Sequence, residues 1–501
     1  MCVALSAMRK NNFLLAAAIF LTSILTSSAD VRLPALFSDH MVLQRGKTVP
    51  VWGWADDGET VTVTFRNQKV STQAKDGKWR VNLSSLKAGG PDVLKVTGKN
   101  SIALTNVLVG EVWLCSGQSN MEFALKRAHE SQADIAASSN SALRLFQIPN
   151  VKSDKPLNDV KANWTESTPE TSANFSAVAY YFGRDLQKHL GVPIGLIQSD
   201  WGGSPADAWV KENILHTNPL YQEILDRRKT GEDEYKNALA KFEKEKAANP
   251  TNQIAAPRAP WKPGELYNGM IAPLIPYAMQ GVIWYQGESN APRAHQYRSL
   301  FPDLIRNWRS DWAQGDFPFL LVQLAPFDRA DTKPESWAEL REAQLNATKI
   351  LPKVGMAVIT DVGEETDIHP KKKKPVGERL AVAARQIAYG EKLIYSGPIY
   401  KTMQIKGDKI ILSFDHIGSG LETRSGALQG FTICGADRKF FPATAQINGN
   451  EIMVSNANVK KPIAVRYGWA NFPVVNLWNK EGFPASPFRT DDFQMVTAQK
   501  E

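Results

Sequence analysis

The chain has 501 residues, 59 of them Lys or Arg and 51 Asp or Glu, for a formal charge of +8. That length is roughly three domains' worth at about 150 residues each, and 43% apolar with 22% charged residues supplies enough core to exclude wholesale disorder. Three cysteines exclude a disulfide scaffold, and no Lys/Arg block interleaved with aromatics offers a nucleic-acid surface.

Arg9 and Lys10 precede an apolar run from Phe13 to Leu25 that is shorter than the ~20 residues a membrane span needs. Small residues follow at Ser27-Ser28-Ala29, so residues 1–29 read as a signal peptide cut before Asp30, with Met8 an equally good start. The expected mature protein is exported, periplasmic or secreted, with no later membrane span. Cys115 and Cys434 remain in it, as two buried thiols or one bridge.

Residues 30–106 read as short strands forming a small β-sandwich. Thr60 to Phe65 alternates at period two, Lys75-Asp76-Gly77-Lys78 is a hairpin signal, and Ala88 to Asp92 is a turn. Residues 107–395 alternate apolar runs with helical stretches. The runs are Val107 to Cys115, Ile194 to Ile197, Gly281 to Trp284, Phe319 to Val322 and Met356 to Ile359, and a helix is expected from Met121 to Glu130. Buried runs separated by helix-length segments predict a parallel sheet with helices on both faces. Within this region 221–256 is dense in Glu, Lys and Asp, and reads as a solvated helical excursion, with a lid or partner-binding role as the alternative. Strand patterns return in 396–501, with a hairpin at Ile447-Asn448-Gly449-Asn450, giving a C-terminal β domain or extension.

Open α/β sheets place their sites beyond the carboxyl ends of their strands, so the loops after the apolar runs carry the candidate chemistry. The first holds Ser116-Gly117-Gln118-Ser119-Asn120-Met121. A serine on a glycine-containing strand-to-helix turn is presented outward, although it also suits a helix cap. The second holds Ser199-Asp200-Trp201-Gly202-Gly203-Ser204, whose paired glycines let backbone N–H groups approach a ligand. The third, Trp284-Tyr285-Gln286-Gly287-Glu288-Ser289-Asn290, offers amide donors and an aromatic wall for a sugar ring. The fourth supplies Asp361, Glu364 and Asp367-Ile368-His369-Pro370, a base with carboxylates beside it, as a hydroxyl nucleophile requires. No Gly-x-Ser-x-Gly surrounds Ser119, which sets the group apart from nucleophile-elbow hydrolases.

These four blocks resemble the sialate O-acetylesterases of the SGNH hydrolase superfamily, and the likeness extends to Leu36 to Gln44 and to Val376 to Ala381. The resemblance implies an SGNH-type three-layer α/β/α hydrolase domain with flanking all-β domains, and metal-free removal of O-acetyl groups from sialic acids through a serine acyl-enzyme. It implies Ser119 as nucleophile, His369 as general base, and Gly203 (Gly202 second) joining the Ser119 N–H in the oxyanion hole. The superfamily's Gly-x-Asn-Asp block is replaced here by Gly287-Glu288-Ser289-Asn290, which leaves Gln286 and Asn290 as rival amide donors. Its Asp-x-x-His is also absent, with Thr366 in that place. Asp367 becomes the expected third member, with Asp361, Glu364 or a bare Ser–His dyad as alternatives. Gln118, Trp201, Trp284 and Glu288 are candidate substrate contacts.

The histidines show no pair at helical or zinc-finger spacing, so neither metal nor cofactor is expected. Lys371 to Lys374 reads as a solvated loop or as an attractor for a substrate carboxylate. The expected partner is an O-acetylated sialic acid or another acetylated glycan such as acetylxylan. A non-catalytic carbohydrate-binding protein stacking sugars on Trp201, Trp209 and Trp284 is the reading of another class, and retention of both Ser119 and His369 argues against it, because binding alone needs neither.

Overall fold

The central feature is one long strand, Ser101–Gly117, whose first third is half exposed and whose remainder is buried throughout. Its early residues pair with Gly89–Thr97 of the N-terminal β region and its later ones with the strands of the α/β layer. The expected boundary between 106 and 107 therefore falls inside a continuous strand. The computed structural model describes residues 30–249 and 253–498, and the expected signal peptide lies outside the described residues.

Across the α/β layer the strand order is Val354–Ala357, Phe319–Val322, Gly281–Tyr285, Ser101–Gly117, Ile194–Asp200, Asn140–Gln147 and Trp164–Ser167. Neighbours are parallel except for the last pair. Parallel strands covered on both faces are mostly apolar on both, as Gly281–Tyr285 and the first four residues of the wholly buried Ile194–Asp200 are. Trp113 meets Phe182 of helix Ala177–Leu190 on one face, with ring centroids 5.1 Å apart. On the other face Trp284 meets Phe301 and Trp308 of helix Ala294–Trp312, at 6.2 and 5.7 Å. Helix Ala177–Leu190 packs on Lys374–Ile387, and Ala294–Trp312 on Ser336–Ile350, which completes the three layers.

Two expectations change. The helix expected from Met121 to Glu130 is a single turn, Ser119–Glu122, then the 3₁₀ turn Leu125–Arg127 and a later short helix, Ser131–Ala136. The break has a cause in the backbone: Ala124 bridges Ser176, Leu125 N–H donates to Phe175 O at 2.9 Å, and Ala177 N–H donates to Phe123 O at 2.8 Å. The turn expected at Ala88 to Asp92 is instead an irregular start to strand Gly89–Thr97, where the register against Ser101–Gly117 slips. The charged excursion is a 27-residue helix, Gln222–Ala248, that buries only Ile224.

The C-terminal region has its own apolar cluster, including Ile410, Leu412, Ile433, Ile452, Val454 and Tyr467, between antiparallel sheets. It is fastened to the α/β layer by buried Arg341, which donates to Ala470 O at 2.8 Å and Asn471 O at 2.7 Å. Cys115 and Cys434 are free and buried.

Candidate active site

Strands Ile194–Asp200, Ser101–Gly117 and Gly281–Tyr285 end level, with Gly117 paired to both Asp200 and Tyr285. The chain changes its direction of travel across the sheet here, which opens a crevice at their carboxyl ends. Gly117 is at φ +144°, and a Cβ on it would lie 2.1 Å from Tyr285 O, so only glycine lets the strand turn here. Gln118 donates its N–H to Tyr285 O at 3.0 Å, and Ser119 opens the one-turn helix. Gln118 holds the N-cap position and makes no side-chain cap, so the Ser119 hydroxyl is not spent on capping. Gln118 is itself buried and its Oε1 accepts from Gly287 N–H at 3.4 Å, which makes it a brace between loops.

His369 Nε2 lies 2.7 Å from Ser119 Oγ. Of the three carboxylates expected near it, Asp367 stands nearest the imidazole: its Oδ1 accepts the His369 backbone N–H at 2.9 Å and sits 3.9 Å from Nδ1. Asp361 is held by both Nη atoms of Arg379, at 2.6 and 2.7 Å, and Glu364 accepts Lys371 N–H at 3.0 Å. Burial lowers the His369 pKa from its ordinary value, the Lys373 charge lowers it further, and Asp367 opposes both. The balance favours the neutral imidazole, the form that can accept the serine proton.

The two glycines after Trp201 have different occupations. Gly202 N–H donates to Glu122 Oε2 at 2.7 Å. Gly203, at φ +76°, makes no N–H hydrogen bond among the described residues. A Cβ on Gly202 would stand 3.2 Å from Ser119 Cβ, so this turn lies against the serine. The rival amides also separate. Gln286 Nε2 donates to Asn290 Oδ1 at 2.7 Å and to Ser204 O at 3.3 Å, while its Oε1 accepts from Tyr297 Oη at 3.1 Å. Asn290 Oδ1 also accepts Ala206 N–H at 2.9 Å, yet its buried Nδ2 has no partner. Gln286 has spent its donors and Asn290 has kept its own.

Asn120 ties the loops together. Its Nδ2 donates to Glu288 Oε1 at 2.6 Å and to Ile368 O at 3.0 Å, and its Oδ1 accepts from Lys373 Nζ. Glu288, expected to touch substrate, is thus a buried member of this network, and burial raises its pKa. Lys373 departs from the solvated run expected for 371–374: it is buried, 4.8 Å from the Phe123 ring and 5.2 Å from the Tyr285 ring. Desolvation lowers its pKa to about 7. Nothing in the sequence separates Lys373 from its three neighbours.

The comparisons with known proteins point to one family. Residues 109–242 and 248–386 match the family model described as carbohydrate esterase, sialic acid-specific acetylesterase. A sialate O-acetylesterase of Mus musculus is 30% identical over 88% of this chain and 90% of its own length. One of Homo sapiens is 28% identical over 88% of each. Among solved structures, a carbohydrate acetylesterase from Xanthomonas citri superposes with a TM-score of 0.82 at 41% identity, covering 93% of this chain and all of that one. The chain belongs to this family of carbohydrate esterases.

The aromatic residues of the esterase sort by depth. Trp284 and Trp209 are fully buried, so neither stacks on a sugar, contrary to expectation. A strand-end tryptophan looks alike in sequence whether it faces a helix layer or a cleft, and Trp284 faces the helix layer. Trp201 is partly buried and meets Trp261 edge-on at 5.3 Å, with Lys152 Nζ 4.1 Å from the Trp261 ring. Trp261 and Lys152 carried no motif that would have marked them. Among the described residues, no group of His, Cys, Asp and Glu is placed to hold a metal ion, and no helix is long and apolar enough to cross a membrane.

Proposed function

We propose that this esterase removes O-acetyl groups from sugars, sialic acids foremost, through an acetyl-serine intermediate and without a metal. The observation that carries the reading is the 2.7 Å contact between Ser119 Oγ and His369 Nε2 on a strand-to-helix turn. His369 takes the hydroxyl proton as Oγ bonds to the acetyl carbonyl carbon. The oxyanion so formed is held by the N–H groups of Ser119 and Gly203 and by Asn290 Nδ2. His369 returns the proton to the sugar oxygen as the ester C–O bond breaks. Water then attacks the acetyl-enzyme, giving its proton to His369, and acetate leaves as Ser119 regains a proton. Asp367 supplies a negative charge near the imidazole, without a hydrogen bond to Nδ1 at 3.9 Å.

Sialic acid as substrate is supported by the names of the mammalian relatives. A second reading, an acetylesterase for acetylated polysaccharides, is favoured by the higher identity, 41%, to a protein described simply as a carbohydrate acetylesterase. Export to the periplasm or exterior belongs to the same proposal, resting on the charged and apolar runs before Asp30. The test is acetate release from O-acetylated sialic acid and from acetylated xylan by wild type and Ser119→Ala. Release from the sialic acid, lost in the variant, supports the first reading. Release from xylan alone moves the substrate to the second, and equal release by the variant overturns the mechanism.

A further inference from the structure

A cavity of about 290 Å³ opens beside the Gly202–Gly203 turn, with Gly203 and Ser289 on its rim and Trp261, Arg227 and Arg293 among its walls. Ser289 Oγ donates to Gly203 O at 3.0 Å, which joins that rim to the loop carrying Asn290. Arg293 ends the 3₁₀ turn Glu288–Arg293 on the same loop. One of its Nη atoms donates to Ser289 O at 2.8 Å, but its Nε is buried without a partner. Among the described residues Asp207 and Glu223 are its nearby carboxylates, felt through charge and not through a hydrogen bond to Arg293.

Helix Gln222–Ala248 brings a second guanidinium. Arg227 Nη1 is buried and makes no hydrogen bond, its ion-pair partner Glu223 standing off at 3.5 Å. Arg228 beside it is neutralised, by Glu212 at 2.6 Å and Glu232 at 3.2 Å. The carboxylate in the wall is Asp207, whose Oδ1 also lacks a partner. Burial raises its pKa against the pull of Arg293 and Arg227, which weakens its repulsion of an incoming anion. A buried guanidinium nitrogen with no hydrogen-bond partner is costly, and a planar carboxylate fits the guanidinium fork.

We propose that Arg293 and Arg227 form a carboxylate subsite that holds the acid group of an acidic sugar while its acetyl ester lies at Ser119. The inference rests on the sugar O-acetylesterase reading and narrows its substrates to acidic sugars. It also makes the charged helix a wall of the binding site.

The test separates the subsite from the substrate assignment. Hydrolysis of para-nitrophenyl acetate by the full-length protein is followed with N-acetylneuraminic acid, its methyl ester, glucuronic acid or glucose as competitors. In wild type the free acid is expected to inhibit at least about tenfold more strongly than its methyl ester, the effect of one charge-assisted hydrogen bond. In Arg227→Met that preference is expected to fall to about twofold or less. Equal inhibition by acid and ester in wild type, or none by any competitor, overturns the subsite. Inhibition by glucuronic acid alone keeps it and assigns it to uronic acids. If the acid preference holds while O-acetylated sialic acid is not hydrolysed, the sialate assignment fails and the subsite stands.

Discussion

The carboxamides of Gln286 and Asn290 share one hydrogen bond, 2.7 Å from Nε2 to Oδ1, and it leaves Asn290 with the unspent donor. Asn290→Ala is therefore expected to lower kcat by about 10²–10³-fold with little change in KM, the cost of losing an oxyanion donor. Gln286→Ala removes the residue that orients Asn290 and strands the Tyr297 hydroxyl. It is expected to reduce kcat less and to destabilise the fold by about 1–3 kcal/mol. Steady-state kinetics and denaturant unfolding of the two variants check this. A larger kcat loss in Gln286→Ala than in Asn290→Ala contradicts it.

The pH dependence of kcat/KM reads the surroundings of His369, because the base works only when neutral. The Lys373 charge lowers its pKa and Asp367 raises it. Lys373→Met is expected to move the acid limb of the profile to higher pH, and Asp367→Asn to lower pH. Because Asp367 stands 3.9 Å from Nδ1, its loss is expected to slow turnover by well under the ~10⁴-fold seen when a bonded triad carboxylate is removed. Limbs that shift in the same direction in both variants contradict this account.

Depth assigns the tryptophans. Trp284, packed against Trp209, Phe301, Trp308 and Phe319, is expected to cost about 3–5 kcal/mol of stability on replacement by alanine. Trp201→Ala, which loses a partly buried ring packed on Trp261, is expected to cost less, about 1–2 kcal/mol, and to raise KM for a sugar ester about two- to tenfold. A thermal melt and a KM measurement on each variant distinguish the two roles.

The sequence made the site legible where it is local. The strand ends at Gly117, Asp200 and Tyr285 are buried apolar runs followed by glycine and polar residues, and their loops meet because the strands are neighbours. What depends on a distant partner was not legible. The helix expected after Met121 breaks because 123–125 pairs with 175–177, a contact no local propensity encodes. Lys373 sits among other lysines in sequence, and only the fold puts it under Asn120. The strands Asn140–Gln147 and Trp164–Ser167 are not legible either, because their mixed polar composition hides the last two places in the sheet, of which Trp164–Ser167 is the edge. The choice between Gln286 and Asn290 required the hydrogen-bond inventory of both side chains.

The central claim is an acetyl group carried on Ser119 by a base 2.7 Å away. The most direct measurement is acid quenching during turnover of an acetyl ester, followed by peptide mass spectrometry. The expected result is acetyl on the Ser119 peptide of wild type, increased in His369→Ala with para-nitrophenyl acetate if deacylation slows more than acylation, and absent in Ser119→Ala. Acetyl on another side chain, or acetate release at the wild-type rate by Ser119→Ala, would contradict the account.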